Sequence, residues 1–228
     1  DIKAASEVCK SHNLISVVDN TFMTPYFQRP IELGVDIVIH SSTKYLNGHS
    51  DLIGGIVLTN NEEYNKMIRF MQKSIGAIPS PFDCWLTLRS TKTLAIRMEQ
   101  HNKNAQLIAE YLKDQSYIKK IYYPGLAEHP QHELAKQQMS GFGGIVTVDF
   151  GNIENAKKLF KNTKIFQLAE SLGGVESLLN HSATMTHASV PEKERLEMGI
   201  TDSLVRISVG IEDVEDLIND IEIAINMN

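Results

Sequence analysis

Apolar positions along the chain alternate between short strand-like runs and stretches with helical spacing. In the first half, strand-like runs come before an amphipathic segment, 61–75, whose apolar side chains recur on one helical face. These runs are 14–18, 36–40 and 52–58. Residues 82–114 contain no glycine or proline and are predicted to be mostly helical. Such alternation is typical of a layered α/β structure.

The second half repeats the alternation, with glycine-containing turns between its segments. The predicted strands are 117–123, 144–150, 164–168 and 203–209. The predicted helices are 130–139, 153–161, 191–199 and 213–226. Because a long helix often carries a chain from one domain into the next, we predict two domains, 1–95 and 96–228.

Composition narrows the possible functions. The 228 residues carry 22 Lys and Arg against 28 Asp and Glu, a formal net charge of −6. This balance disfavours a nucleic-acid partner, which needs a basic face. No apolar run approaches the roughly 18 residues of a membrane helix, so no membrane partner is expected. Two histidines three positions apart, His129 and His132, are too few ligands for a metal site, so no metal site is predicted.

The two cysteines, Cys9 and Cys84, are too few for a disulfide framework. We interpret them as buried thiols in a reducing compartment, which favours the cytoplasm. The chain begins at Asp1 without an initiator Met and enters a helical pattern at once. We therefore expect that a preceding portion of the polypeptide is missing.

Polar side chains follow two of the predicted strands. Asp19 comes directly after 14–18, where a carboxylate can bind a ligand or simply cap a turn. Ser41, Thr43 and Lys44 follow 36–40. Hydroxyls and backbone N–H groups at a strand end can hold a phosphate, and a lysine there can form a Schiff base. The alternative is a surface lysine in a polar loop; the glycines of a P-loop are absent.

Two further candidates lie in the second half. Glu170 and Ser171 precede the glycine pair Gly173-Gly174, in what is either a ligand loop or a plain turn. Arg206 lies inside an apolar strand, where an unpaired charge is costly. Its guanidinium suits either a bound carboxylate or a structural ion pair.

Together these segments resemble the Cys/Met-metabolism family of pyridoxal-phosphate enzymes, in order and over essentially the whole chain. The matching segments are Val18–Phe22, Asp36–Ser50, Pro79–Asp83, Arg89–Arg97, Tyr123–Leu126, His129–His132, Ser171–Ser177, Met185–Ser189 and Arg206–Asp213. The resemblance implies an aspartate-aminotransferase-like α/β fold, the type I fold of pyridoxal-phosphate enzymes. Residues 1–95 would be the latter part of the large cofactor domain, and 96–228 the smaller C-terminal domain.

The resemblance also implies a role for each matching residue. Lys44 would be the Schiff-base lysine that also moves protons, and Asp19 the partner of the pyridine nitrogen. Ser41 and Thr43 would bind the cofactor phosphate. Arg206 would bind the substrate α-carboxylate with Ser171 nearby, and Glu170 the distal amino group of the substrate.

Glu170 and the segments around it most resemble the cystathionine γ-lyase and γ-synthase branch. The expected reaction is γ-elimination on cystathionine, giving cysteine, 2-oxobutanoate and ammonia, with possible hydrogen sulfide release from cysteine or homocysteine. The alternative is γ-replacement on an O-acylhomoserine by cysteine. Either places the chain in trans-sulfuration, the metabolism of cysteine and methionine.

Family members carry an N-terminal portion that this chain does not contain. It supplies a ring-stacking tyrosine, a phosphate loop and a Tyr/Arg pair for the neighbouring subunit. We therefore expect the chain to be one piece of a homotetramer-forming polypeptide, a dimer of dimers. A non-catalytic fragment, and a cofactor-free Schiff-base aldolase that would leave Asp19 unexplained, are the alternatives of other classes.

Overall fold

The computed structural model describes residues 1–227 as a mixed α/β protein. Its helices are α1 (Ile2–Ser11), α2 (Thr24–Phe27), α3 (Glu62–Ile75), α4 (Pro81–Thr91), α5 (Leu94–Lys113), α6 (His132–Gln138), α7 (Ile153–Asn162), α8 (Glu192–Glu197) and α9 (Val214–Asn226). Its strands are β1 (Val17–Asp19), β2 (Ile37–Ser41), β3 (Gly55–Leu58), β4 (Lys120–Tyr122), β5 (Ile145–Asp149), β6 (Gln167–Leu168), β7 (Leu178–His181) and β8 (Leu204–Ser208). A 3-10 turn, Pro30–Leu33, and a π-helical turn, Ser42–Leu46, complete the order.

The chain divides into two compact units. The first contains 1–96 and 133–141, and the second contains 97–132 and the residues from 142 onward. The division into domains at residue 95 stays a prediction.

The first unit is built on a three-stranded sheet in the order β1-β2-β3, with β1 and β2 parallel and β3 antiparallel to β2. A polar clamp holds the starts of β1 and β2 together. The Asp36 carboxylate accepts hydrogen bonds from the Ser16 backbone N–H at 2.8 Å and from its hydroxyl at 2.6 Å. The Ser16 hydroxyl oxygen in turn accepts from the Asp36 N–H at 3.0 Å. These bonds fix the register of β1 against β2, and therefore the relative positions of their carboxyl ends.

The second unit contains a five-stranded sheet in the order β4-β5-β8-β7-β6. Within this sheet, as far as the structure describes it, β6 and β7 pair in parallel and the other neighbours are antiparallel. Its apolar side chains form a continuous core with those of α5, α7 and α9. Fully buried members include Ile108, Leu159, Leu179, Ile207 and Ile221. Burying such side chains contributes roughly 1.5–3 kcal/mol each, which makes this core the main source of the unit's stability.

Helix α5 fixes the chain that leaves β8. The ring of His101 donates from Nδ1 to the Val209 carbonyl at 2.7 Å. The Asn104 amide donates to the carbonyls of Gly210 and Glu212, at 3.1 and 2.8 Å. These bonds attach the turn after β8 to a buried helix face, and so fix the strand that carries Arg206.

One local prediction is confirmed and one strand was missed. The stretch 82–114, predicted to be mostly helical, forms α4 and α5 with a short interruption between them, where the Thr93 hydroxyl donates to the Ser90 carbonyl at 3.0 Å. A threonine hydroxyl that takes a backbone carbonyl competes with the helical ladder, so a break needs no glycine or proline. Strand β7 was not predicted at all. Its four residues are all buried between β6 and β8, so the sequence shows no alternation there.

The cysteines also differ from the expectation of two buried thiols, because Cys9 is half-buried and Cys84 is exposed. Helix α3 is amphipathic as predicted but contributes no buried residue, and its Met67 and Met71 side chains are exposed. Within residues 1–227, no helix combines the length and apolarity needed to cross a membrane. The same residues contain no cluster of three or more metal-binding side chains.

The Ser16 clamp predicts how acid affects the first unit. The Ser16 hydroxyl and N–H hold the pKa of Asp36 below its ordinary value, against a smaller opposing effect of burial. This stabilisation is therefore present above about pH 4 and is lost as the pH falls through the lowered pKa. Ser16→Ala should raise the Asp36 pKa and lower the free energy of unfolding at pH 7 but not in strong acid. Carboxyl-carbon NMR titration measures the pKa, with Ser11→Ala as the control; an unchanged Asp36 pKa in Ser16→Ala would contradict the assignment.

His101 predicts a second pH dependence. Burial lowers its pKa to about 4, although the hydrogen bond to Val209 opposes the shift. Between about pH 4 and 6.5 the unfolded chain binds a proton that the folded ring excludes, so stability should fall as the pH is lowered through this range. His101→Gln should remove a slope of up to about 1.4 kcal/mol per pH unit there. Urea unfolding at several pH values measures the slope; equal slopes for both proteins would refute the prediction.

Candidate active site

Two strands of the first unit end at the same edge of its sheet and bring the candidate groups together there. Because β1 and β2 are parallel, with Asp19 opposite Ile39, the carboxyl ends of both strands lie side by side. Asp19 closes β1 with an exposed carboxylate, whose Oδ1 accepts from the Thr21 N–H at 2.9 Å. Ser41 closes β2 and leads directly to Lys44.

The turn that carries Lys44 is irregular. Ser42–Leu46 form a single π-helical turn, in which Lys44 departs from helical geometry with φ −90° and ψ −137°. Such turns are frequent at functional sites because they redirect one side chain. Tyr45 and Leu46 anchor the turn because both side chains are buried. A 2.7 Å hydrogen bond from the Gly48 N–H to the Lys44 carbonyl closes it. Lys44 itself is half-buried.

Thr43 and Gly54 fasten the turn to the chain that precedes β3. The Thr43 hydroxyl oxygen accepts from the Gly54 N–H at 3.0 Å, and the Gly54 carbonyl accepts from the Ser42 N–H at 2.9 Å. A Cβ atom at Gly54 would lie 2.7 Å from the Ser42 hydroxyl, so this close approach favours glycine. Sequence reasoning missed Gly54, and a glycine pair at the start of an apolar run was the only signal.

His40 modifies the electrostatics of this edge. It is buried in β2, next to Ser41. Burial lowers its pKa, while the Asp19 carboxylate and the Asn20 backbone oppose the shift. A neutral imidazole at pH 7 leaves the negative charge of Asp19 available to another cation. Sequence reasoning had not singled out His40.

The groups at this edge fit the chemistry of pyridoxal phosphate. A lysine amine can attach to its aldehyde, a carboxylate can pair with its ring nitrogen, and hydroxyls can bind its phosphate. Lys44, Asp19, Ser41 and Thr43 supply all three kinds of group within one unit.

The remaining candidates come together in the second unit. Arg206 lies in β8 between Thr147 of β5 and Asn180 of β7. Its Nη2 donates to the main-chain carbonyls of Glu170 and Ser171, at 2.9 and 3.1 Å. These bonds orient the guanidinium, and both acceptors are neutral. The Glu170 residue is exposed, and Ser171 is half-buried.

A second network supports the loop of Glu170 and Ser171. The Ser177 N–H and hydroxyl donate to the Glu212 carboxylate, at 2.7 and 2.8 Å. The Gly210 N–H donates to the Ser177 hydroxyl at 2.8 Å, and the Gly173 N–H to the Ser208 hydroxyl at 2.9 Å. The glycine turn is therefore attached to the end of β8.

The sequence matches a known family over nearly its whole length. A family model described as Cys/Met metabolism PLP-dependent enzyme matches residues 1–226. Cystathionine gamma-lyase from Dictyostelium discoideum is 53% identical over 227 residues, 99% of this chain and 59% of the relative. Cystathionine beta-lyase from Lactococcus lactis is also 53% identical, over 225 residues. The chain thus spans about three fifths of the length of these relatives.

Solved structures are similar in both sequence and fold. The crystal structure of metB from Corynebacterium glutamicum is 51% identical, with a TM-score of 0.94 over 99% of this chain and 58% of that one. Cystathionine gamma-lyase from Lactobacillus plantarum, complexed with L-serine, is 44% identical with a TM-score of 0.95. The expected fold, the type I fold of pyridoxal-phosphate enzymes, is confirmed by these similarities. The chain belongs to the Cys/Met-metabolism family of pyridoxal-phosphate-dependent enzymes.

Proposed function

We propose that this protein is a pyridoxal-phosphate-dependent carbon–sulfur lyase that carries out γ-elimination on cystathionine. The observation that carries the proposal is the edge shared by the Asp19 carboxylate and the Lys44 turn. Identity of 53% to a cystathionine gamma-lyase supports the choice of reaction. The products would be cysteine, 2-oxobutanoate and ammonia, and hydrogen sulfide would be released when cysteine or homocysteine is the substrate.

Pyridoxal phosphate, when bound, withdraws electrons from the α-carbon of an attached amino acid. Asp19 would keep the ring nitrogen protonated by placing a negative charge beside it, and Ser41 and Thr43 would bind the phosphate. Lys44 would hold the cofactor through its amine. The same amine, once the substrate amine has taken its place, would be the base for the substrate protons.

Elimination at the γ-carbon requires two proton removals. The Lys44 amine would take the proton from the α-carbon, give it up to the bound cofactor, and so be free to take a second proton from the β-carbon. The sulfur substituent can then leave from the γ-carbon. The backbone of Lys44 is held on its irregular turn by Gly48 and Tyr45, but its side chain is long and flexible. Its amine could therefore reach two neighbouring carbon atoms of the substrate.

Arg206, Ser171 and Glu170 are the proposed substrate-binding residues. Arg206, oriented by the carbonyls of Glu170 and Ser171, would bind the α-carboxylate bidentately, with Ser171 nearby. The exposed Glu170 would pair with the distal amino group of cystathionine. γ-Replacement on an O-acylhomoserine by cysteine is the alternative reaction, since it uses the same groups.

We also propose that the working enzyme contains further polypeptide and is a homotetramer, a dimer of dimers, in the cytoplasm. Support comes from the length of the relatives and from the large apolar side chains that α3 and α4 expose. These include Phe70, Ile75, Phe82, Trp85 and Leu88. Large apolar side chains exposed in such number are typical of an interface rather than of a solvated face.

Borohydride reduction tests the cofactor assignment directly. Reduction of the protein as isolated from its cells should fix a pyridoxyl group on Lys44, found by mass spectrometry of its peptides. Lys44→Arg should abolish the label and the visible absorbance, because arginine forms no Schiff base. Lys66→Arg, at an exposed lysine paired with Glu62, is the matched control and should keep both. A protein that contains the full length of its relatives yet carries no label on Lys44 would overturn the proposed function.

Product analysis tests the reaction and the role of Glu170. Cystathionine should give cysteine and 2-oxobutanoate; pyruvate and homocysteine would instead indicate β-elimination. Glu170→Ala should raise the KM for cystathionine about threefold. The effect is small because an exposed ion pair contributes only about 0.2–1 kcal/mol of binding free energy. The KM for cysteine, which has no distal amino group, should not change. Glu192→Ala, at another exposed glutamate, is the control, and equal changes for both substrates would refute the role of Glu170.

A further inference from the structure

We propose that Thr21 is a positioning residue that couples the Asp19 carboxylate to the Ser41–Lys44 segment. This inference rests on the proposed function, in which the two groups bind opposite ends of one rigid cofactor. Thr21 is buried and touches both. Its backbone N–H donates to Asp19 Oδ1 at 2.9 Å, and its hydroxyl oxygen accepts from the Ser41 N–H at 2.8 Å.

The hydroxyl of Thr21 stands where the sheet would otherwise supply a backbone carbonyl. The ladder of β1 and β2 begins with the Ile37 N–H donating to the Ser16 carbonyl at 3.1 Å. In a parallel pair the bonds repeat every second residue, so a regular ladder would have the Ser41 N–H donate to the Asn20 carbonyl, two repeats further on. The Asn20 N–H still follows the ladder, donating to the Ile39 carbonyl at 2.9 Å. The rung from Ser41 goes instead to the side chain of Thr21.

The Asn20 carbonyl is withdrawn from the ladder by a buried turn. It accepts from the Thr24 N–H at 3.0 Å. The Asn20 amide donates to the carbonyls of Thr24 and Gln28, at 3.1 and 2.8 Å, and its oxygen accepts from the Gln28 amide at 2.9 Å. Thr24 is fully buried with φ +58°, a left-handed conformation that a β-branched residue adopts only at a cost.

The turn that begins at Asn20 has two consequences for the candidate site. It directs the chain away from the sheet immediately after Asp19, which leaves the carboxylate exposed at the edge. It also deprives the half-buried Ser41 N–H of its backbone acceptor, and an unpaired buried N–H is costly. The Thr21 hydroxyl satisfies that N–H, and so fixes the start of the Lys44 segment relative to Asp19.

Thr21→Val tests the coupling, because valine keeps the shape of threonine and loses only the hydroxyl. The Ser41 amide should then exchange its hydrogen about tenfold faster or more, as expected for one lost hydrogen bond. The dissociation constant of pyridoxal phosphate, measured by visible absorbance, should rise about tenfold. Thr21→Ser, which retains a hydroxyl, should restore most of both properties.

Thr59→Val is the matched control for a general loss of stability. The Thr59 hydroxyl also joins two chain segments beside this sheet, since it donates to the Asp36 carbonyl at 2.7 Å and accepts from the Asn61 N–H at 3.1 Å. Its loss should lower the melting temperature but leave Ser41 exchange and cofactor affinity unchanged. The experiment uses the protein as isolated from its cells, with hydrogen exchange measured with and without cofactor.

The outcomes separate this inference from the proposed function. A Ser41 amide that stays protected in Thr21→Val refutes the coupling, whether or not cofactor binds. Faster exchange with an unchanged cofactor dissociation constant also refutes it. A wild-type protein of full length that takes no pyridoxyl label on Lys44 instead overturns the proposed function, and the coupling role with it.

Discussion

The parallel pairing of β1 with β2 is the constraint on which the candidate site depends. Parallel strands end at the same edge of a sheet, so Asp19 and Ser41 become neighbours although they are 22 positions apart in the sequence. The Ser16 and Asp36 clamp sets the register at the opposite end. A slip of one residue would turn Asp19 to the other face of the sheet and separate the carboxylate from the lysine turn.

The second unit positions its cation by a different means. Arg206 is in the middle of an antiparallel strand, with partner strands on both sides, so its backbone has little freedom. Carbonyl oxygens of the glycine loop then orient the guanidinium. The sequence predicted that this arginine would need a partner but left a bound carboxylate and an ion pair open. The main-chain carbonyls of Glu170 and Ser171 satisfy part of its hydrogen-bonding need without neutralising its positive charge.

Sequence patterns located most elements but not the details that position the site. Apolar runs predicted β2, β5 and β8 within two residues, because each of these strands contains three apolar residues. They missed β7, whose Asn180 and His181 look like loop residues and are buried only because β8 and β6 lie on either side. Lys44 and Asp19 were recognisable by their place after strands. Thr21 and Gly54 were not, because their importance comes from a displaced rung and a close approach that exist only in three dimensions.

The similarity of the chain to proteins named gamma-lyase and beta-lyase follows from the proposed chemistry. Both reactions begin with removal of the α-proton, so both need an amine base, a charged ring nitrogen and a bound α-carboxylate. Lys44, Asp19 and Arg206 would serve either reaction equally. The choice between them depends on which amino-acid end of cystathionine lies beside the base, because this decides which sulfur–carbon bond breaks. It therefore depends on how the other end of the substrate is held. Glu170 is on the loop that also orients Arg206, so both ends of the substrate would be held by one short segment.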